Sequence, residues 1–249
     1  MPDKLTEKRP LTFGLFMMRL LSGLTGGVGG TLATFVVYFV MLSLIPPSEE
    51  ATSLSVFIII LMAFVGTLTA NTITALMVTF MDNAKYSRRK TILTHIFLFN
   101  LILFVVTIPL YLLGISLDVV TGVVALHFLL SAFISAVIME TLAGGEYALL
   151  GVYSSAFAIF IAITLAFIVL ALGGDKSTTQ LTITFGAMPA VWLILEITGG
   201  FAELIYDNFL RYYGIDALNT TTDLGGDTEQ EPKDEDEEGA EEESEEKQP

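Results

Sequence analysis

The sequence predicts an all-α integral membrane protein: a bundle of six transmembrane helices with both termini in the cytoplasm and a disordered, acidic C-terminal tail. The first observation behind this prediction is composition, because only 16% of the 249 residues are charged and 53% are hydrophobic, whereas a soluble domain carries about 25% charged residues. The second is the presence of six long apolar runs. The third is the one-sided distribution of the basic residues that flank these runs.

The six apolar runs are each long enough to cross a bilayer, whose hydrocarbon core of about 30 Å needs about 20 residues in a helix. They lack the period-2 alternation that is typical of membrane β-strands, so helices rather than a closed barrel are predicted. The runs cover approximately residues 23–45, 54–81, 91–113, 119–139, 149–172 and 181–203.

The flanking charges predict the orientation of the spans. An even number of spans places both termini on one side, and eleven of the twelve lysines and arginines fall on that side, which leaves only Lys176 opposite. Because basic segments near the ends of spans remain in the cytoplasm, we expect both termini to be cytoplasmic. The expected location is the plasma membrane. The expected parts are a cytoplasmic N-terminal segment (1–22), a transmembrane bundle (23–206) and a cytoplasmic tail (207–249).

The first span follows an apolar segment and opens with glycines. Residues 11–21 are expected to form a short helix in the membrane interface, with Arg19 reaching the lipid headgroups. Two GxxxG pairs within the span permit another helix backbone to approach closely, and the alternative is an unwound segment that lines a cavity. The glycines of these pairs are Gly23, Gly26, Gly27 and Gly30.

The second, third and fourth spans each carry a polar side chain inside the apolar run: Asn71, Asn100 and His127, respectively. Buried amides usually bridge helices. Alternatively, these side chains converge with Glu196 of the sixth span on one cavity and form a polar path. The loop between the second and third spans is basic and is expected to contact anionic lipid headgroups through Lys85, Arg88, Arg89 and Lys90.

The fifth and sixth spans differ most in polarity. The fifth, residues 149–172, has no charged residue. The sixth contains Pro189, which predicts a kink. It also contains Glu196, which either carries a proton or a cation, or reaches the polar headgroups, or pairs with a basic residue near the membrane surface. One face of this span carries two carboxylates on either side of a pair of glycines, and the glycine notch is suited to helix packing. The residues of this face are Glu196, Gly199, Gly200 and Glu203.

The acidic charge of the chain is concentrated at its C-terminus. Residues 207–249 carry 16 acidic and 3 basic side chains, a net charge of −13 out of the total of −15. Beyond about residue 219 almost no apolar side chain remains, so the segment cannot bury enough surface to fold and is predicted to be disordered. This tail is therefore a candidate binding segment for basic protein partners.

The residue types exclude several classes of function. The chain has no cysteine and only two histidines, which lie far apart, so no metal site is predicted; no motif indicates a cofactor or an enzyme. No basic surface is large enough to bind nucleic acid. We therefore expect a non-enzymatic membrane scaffold or assembly component that contacts the lipid bilayer, with no oligomeric state predicted. The alternative is a small proton- or cation-linked transporter or channel that uses Glu196.

Overall fold

The computed structural model describes residues 11–44, 52–112, 117–172 and 176–212. Within these residues the regular structure consists of six α-helices, and each is long and apolar enough to cross a membrane. The prediction of an all-helical chain with six spans is therefore confirmed. Of the predicted tail, residues 207–212 belong to the last helix, and residues 213–249 lie outside the described residues. The helices are α1 (Phe13–Leu44), α2 (Thr52–Met81), α3 (Arg89–Leu112), α4 (Leu117–Ala143), α5 (Gly145–Leu172) and α6 (Lys176–Tyr212).

The bundle consists of three inner and three outer helices. The inner helices α2, α4 and α6 contact one another, and each outer helix covers one of the grooves between them. Helix α1 lies against α2 and α6, α3 lies against α2 and α4, and α5 lies against α4 and α6. Among the described residues no outer helix contacts another outer helix, so each outer helix is positioned by two inner ones.

The interior of the bundle contains small residues around a tryptophan. Ala70 of α2 and Ala132 of α4 are buried in the same cluster as Trp192 of α6, and the Trp192 ring meets Phe128 edge-on at a centroid distance of 5.0 Å. Small side chains allow membrane helices to approach closely, so that dispersion contacts replace the hydrophobic driving force that lipid does not supply. This cluster joins the three inner helices.

The outer surface of the bundle is strongly apolar. On α5 the side chains of Phe160 and Phe167 are 66% and 68% exposed, whereas Ser155 on the same helix is buried. In a soluble protein, large apolar side chains are mostly buried and polar side chains are mostly exposed. Lipid tails accept apolar side chains, and polar groups at that depth need partners inside the protein. The surface therefore fits the membrane location that the sequence predicts.

The start of α1 differs from the sequence prediction. Residues 13–21 form the first turns of α1 rather than a separate interfacial helix. Thr12 caps this end, since its Oγ1 accepts a hydrogen bond from the Leu15 amide at 3.3 Å. Just before it, the Leu11 amide donates to Asp207 of α6 at 2.9 Å. Because the helix continues straight into the bundle, Arg19 is buried in the interior and does not reach the headgroups.

Candidate functional site

Five charged side chains form a buried cluster at one end of the bundle. This end contains the start of α1, the loop between α2 and α3, the junction of α4 and α5, and the last turns of α6. Each of the five side chains is at most 9% exposed. We call them the charged network: Arg19, Lys85, Glu140, Glu196 and Glu203.

Arg19 lies at the centre of the charged network, because three of its N–H groups reach three different carboxylates. Its Nε donates to Glu196 Oε2 at 3.0 Å and its Nη2 donates to Glu140 Oε1 at 2.7 Å, while its Nη1 donates to Glu203. The planar guanidinium has enough donors for this fan, and charge-assisted hydrogen bonds are the strong ones. A single side chain of α1 is thereby joined to both α4 and α6.

Lys85 supplies the second positive charge, from the loop between α2 and α3. Its Nζ lies 2.7 Å from Glu140 Oε2 and 2.9 Å from Glu203 Oε2. The same ammonium lies 4.1 Å from the ring centroid of Tyr147 on α5, and a cation over an aromatic ring is stabilised most when both are removed from water. The loop is thereby held to α4, α5 and α6.

Tyr86 completes the hydrogen bonding of Glu140. Its hydroxyl donates to Glu140 Oε1 at 2.9 Å, and its side chain is almost completely buried. Burial, the largest cause, raises the pKa of Tyr86 well above its ordinary value; Arg19 opposes this increase and the neighbouring carboxylates add to it. Tyr86 is therefore a neutral hydrogen-bond donor at physiological pH.

Glycines on α6 provide the surface on which the start of α1 lies. A Cβ at Gly199 would lie 3.4 Å from Arg19 Nη2, and a Cβ at Gly200 would lie 2.6 Å from the Phe16 ring. A larger residue at Gly200 would therefore push the Phe16 ring away. The glycine notch of the sixth span is thus occupied by α1, and the guanidinium of Arg19 lies beside it.

The four glycines at the start of the first span divide between the two neighbours of α1. A Cβ at Gly27 would lie 2.5 Å from Pro189 Cα on α6, and a Cβ at Gly30 would lie 2.6 Å from the Gly66 carbonyl oxygen on α2. The helix is continuous through all four glycines, which contradicts the alternative of an unwound segment. Gly23, four residues before Gly27, also faces α6, and Gly26, four residues before Gly30, also faces α2.

A second set of polar side chains joins α2, α3, α4 and α6. Asn71 Nδ2 donates to Ser131 Oγ at 2.9 Å and to Asn100 Oδ1 at 3.2 Å. Asn71 Oδ1 accepts a hydrogen bond from Trp192 Nε1 at 3.0 Å, and Asn100 Nδ2 donates to Ser135 Oγ at 3.0 Å. We call these five side chains the amide network. Both asparagines thus connect neighbouring helices.

The four residues predicted to form an ion or proton site lie in three separate places. Asn71 and Asn100 belong to the amide network, whereas Glu196 belongs to the charged network. The fourth, His127 of α4, has its Nδ1 3.0 Å from Thr107 Oγ1 of α3. Among the described residues, these four side chains therefore have three different sets of hydrogen-bond partners.

The basic loop is a surface feature only in part. Arg88 and Lys90 are exposed, as headgroup contact requires, and Arg89 is half-buried with its Nη2 donating to the Thr79 carbonyl oxygen at 3.2 Å. Lys85 corrects the sequence prediction, since it is only 2% exposed. Its ammonium binds carboxylates inside the bundle instead of lipid headgroups, because ion pairs in the interior replace the water that it loses.

Sequence reasoning assigns Arg19 and Lys85 to lipid headgroups and overlooks Glu140 altogether. A signal was present, because a charged residue within or beside an apolar span needs an opposite charge inside the bundle. Glu140 supplies that charge to both cations. The partners are separated by 121 and 55 positions in the sequence, and spacing along a single helix gives no information about such pairs.

The charged network holds its charges and protons through ion pairs and hydrogen bonds. Among the described residues no group of three or more His, Cys, Asp or Glu side chains could hold a metal ion. Ser154 of α5 is buried, and its hydroxyl donates to the Gly151 carbonyl oxygen at 3.3 Å.

Comparisons with protein-family models, with curated proteins and with solved structures find no match to this chain.

Proposed function

We propose that this chain is a non-enzymatic scaffold or assembly component of the plasma membrane, with both termini in the cytoplasm and an acidic tail that binds basic protein partners. The observation that carries the proposal is that the polar groups of the two buried networks bind one another. The carboxylates of the charged network bind Arg19 and Lys85, and the amide network bonds within itself.

Such an interior favours a rigid bundle over one that exchanges conformations. A transport site has to release its polar groups to a cargo and recover them, whereas each bond broken here would leave a buried charge or amide without a partner. The glycine contacts of α1 with α2 and α6 add close backbone packing on two sides.

The one-sided distribution of Lys and Arg supports the cytoplasmic position of the termini. On that side the tail, with its net charge of −13 in residues 207–249, would attract basic surfaces of soluble proteins. Attraction between opposite charges accelerates association and weakens with salt, with a screening length of about 8 Å at physiological ionic strength. The predicted partners are therefore basic proteins whose binding decreases as salt concentration rises.

The proposal is tested by native mass spectrometry of the full chain in lipid nanodiscs, compared with a chain that lacks residues 219–249. A matched control keeps the tail length but replaces its Asp and Glu residues with Asn and Gln. We expect stoichiometric protein partners on the full chain that are lost from both variants, while the bundle stays folded. Partners that persist on both variants, or a full chain without partners, would contradict the proposal.

The second candidate, a proton- or cation-linked transporter that uses Glu196, depends on that carboxylate leaving Arg19 during a transport cycle. Its test is flux into proteoliposomes for the wild type and for Glu196→Gln. A proton- or cation-linked flux that the substitution abolishes without loss of folded protein would establish transport and replace the scaffold proposal. Equal flux in both proteins would exclude the role of Glu196.

A further inference from the structure

The charged network contains unequal numbers of positive and negative groups. Two cations, Arg19 and Lys85, face three carboxylates, and all five side chains are removed from solvent. With every group ionised the network would carry a net charge of −1 in an interior of low polarity, where an uncompensated charge is costly. The simplest compensation is the uptake of one positive charge.

The three carboxylates differ in the number of donors that stabilise a negative charge. Glu140 accepts hydrogen bonds from Arg19, Lys85 and Tyr86, and Glu203 binds both Arg19 and Lys85. Among the described residues, Glu196 accepts from Arg19 alone. Because each donor favours the ionised form, Glu196 is the carboxylate least supported as an anion.

Position along α6 leads to the same residue. Glu196 lies seven residues before Glu203, which places it about 10 Å deeper along the helix from its C-terminal end at 1.5 Å per residue. Its side chain is 7% exposed. Leu195 and Trp192, which precede Glu196 on α6, belong to the apolar cluster of the inner helices, so the part of α6 that leads to Glu196 is apolar.

We propose that the charged network holds one bound proton and that this proton resides on the Glu196 carboxyl group at neutral pH. The titratable groups around this site are Arg19 of α1, Lys85 and Tyr86 of the α2–α3 loop, Glu140 of α4, Tyr147 of α5 and Glu203 of α6. Of these, Arg19 forms the hydrogen bond to Glu196. The inference does not depend on the scaffold proposal.

Protonation is compatible with the observed contact to Arg19. The Nε–H group of Arg19 donates to Glu196 Oε2 at 3.0 Å, and a carbonyl oxygen of a neutral acid accepts such a bond as well as a carboxylate oxygen does geometrically. With one carboxyl neutral, two cations face two carboxylates, and the net charge of the network becomes zero. A glutamine at this position has the same shape and charge as the protonated acid.

The test is infrared spectroscopy of the full chain in lipid nanodiscs at neutral pH. A protonated carboxyl group has a C=O stretch that is separate from the carboxylate bands and shifts when H₂O is replaced by D₂O. Solvated glutamates have a pKa of about 4.3, so the acidic tail does not contribute to this band at pH about 7. We expect one such band in the wild type, lost in Glu196→Gln and retained in the control Asp207→Asn, which changes a buried carboxylate outside the charged network.

Unfolding midpoints provide an independent measurement. Because glutamine imitates the protonated state, Glu196→Gln should unfold at the wild-type denaturant midpoint, whereas Glu203→Gln should unfold earlier. A wild type without the band, a band that survives Glu196→Gln, or a Glu196→Gln chain that fails to fold would each overturn the proposal. An absent band together with a midpoint that rises with sodium concentration would assign the missing charge to a cation and overturn it as well.

Discussion

Replacement of Arg19 by methionine removes the centre of the charged network while keeping the length and apolar stem of the side chain. The substitution deletes the donors to Glu140, Glu196 and Glu203 and leaves three carboxylates near the single ammonium of Lys85. The network then holds one positive charge against three potential negative ones. We expect this to be among the most destabilising single changes in the bundle.

The magnitude follows from the contacts. Charge-assisted hydrogen bonds contribute about 1.5–3 kcal/mol each, so three of them give about 4.5–9 kcal/mol as an upper bound, because bonds that share one guanidinium are not additive. Removal of one partner from a buried ion pair costs about 3–5 kcal/mol. We therefore expect Arg19→Met to reduce the free energy of unfolding by about 3–5 kcal/mol, a large part of the stability of a typical domain.

Denaturant titration in detergent micelles, followed by tryptophan fluorescence, measures this change directly. Trp192 is the single tryptophan of the chain, and its buried ring lies one helical turn from Glu196, so its emission reports on this part of the bundle. The matched control is Lys90→Met, which removes a cation of the same α2–α3 region whose side chain is exposed.

The control should change the free energy of unfolding by less than about 1 kcal/mol, as exposed charges do. Arg19→Lys should fall between the two, since one ammonium cannot reproduce the planar fan of donors. If Arg19→Met unfolds within about 1 kcal/mol of the wild type, the network adds no more than a surface ion pair, and the argument from burial is refuted.

Three further predictions concern the glycine contacts, the amide network and pH. Gly27→Ala should destabilise the bundle by about 1–3 kcal/mol, because its Cβ would meet the backbone of α6; the control Gly122→Ala meets nothing within 4 Å and should be neutral or stabilising in the same titration. Asn71→Ala should cost about 1–2 kcal/mol, because it removes the acceptor of the indole N–H and the donor to three oxygens. The exposed amide of Asn208, replaced by alanine, should cost much less. Because burial raises the pKa of Tyr86, its contribution to stability is present below its ordinary pKa of about 10 and is lost as pH rises from there; Tyr86→Phe should therefore flatten the alkaline decline of the unfolding midpoint.

The sequence predicts the number of helices. For α1 it also predicts which residues pack against another helix. Continuous apolar runs without period-2 alternation form helices in lipid, because no water satisfies the backbone there. The GxxxG spacing of Gly23, Gly26, Gly27 and Gly30 identifies residues suited to close packing. Which neighbour each pair meets, α6 or α2, is visible only in the bundle.

Several polar residues inside the spans can be identified individually from the sequence, but their partners cannot. Asn71 and Asn100 bond to each other across two helices, whereas Glu196 and His127 belong elsewhere. A position along a helix fixes the depth and face of a side chain, but the rotation and order of the helices decide which side chains meet. That information is distributed over the whole chain.

The sequence by itself therefore determined six membrane-spanning helices, because length and hydropathy are local properties that lipid converts directly into helices. Only the tertiary structure decided that Arg19 and Lys85 leave the headgroup region and bind Glu140, Glu196 and Glu203 inside the bundle. The physical reason is that a charge near the end of a span is equally well satisfied by headgroups or by an opposite charge within the protein. The choice depends on partners up to 184 positions away, which only the packed helices bring within reach.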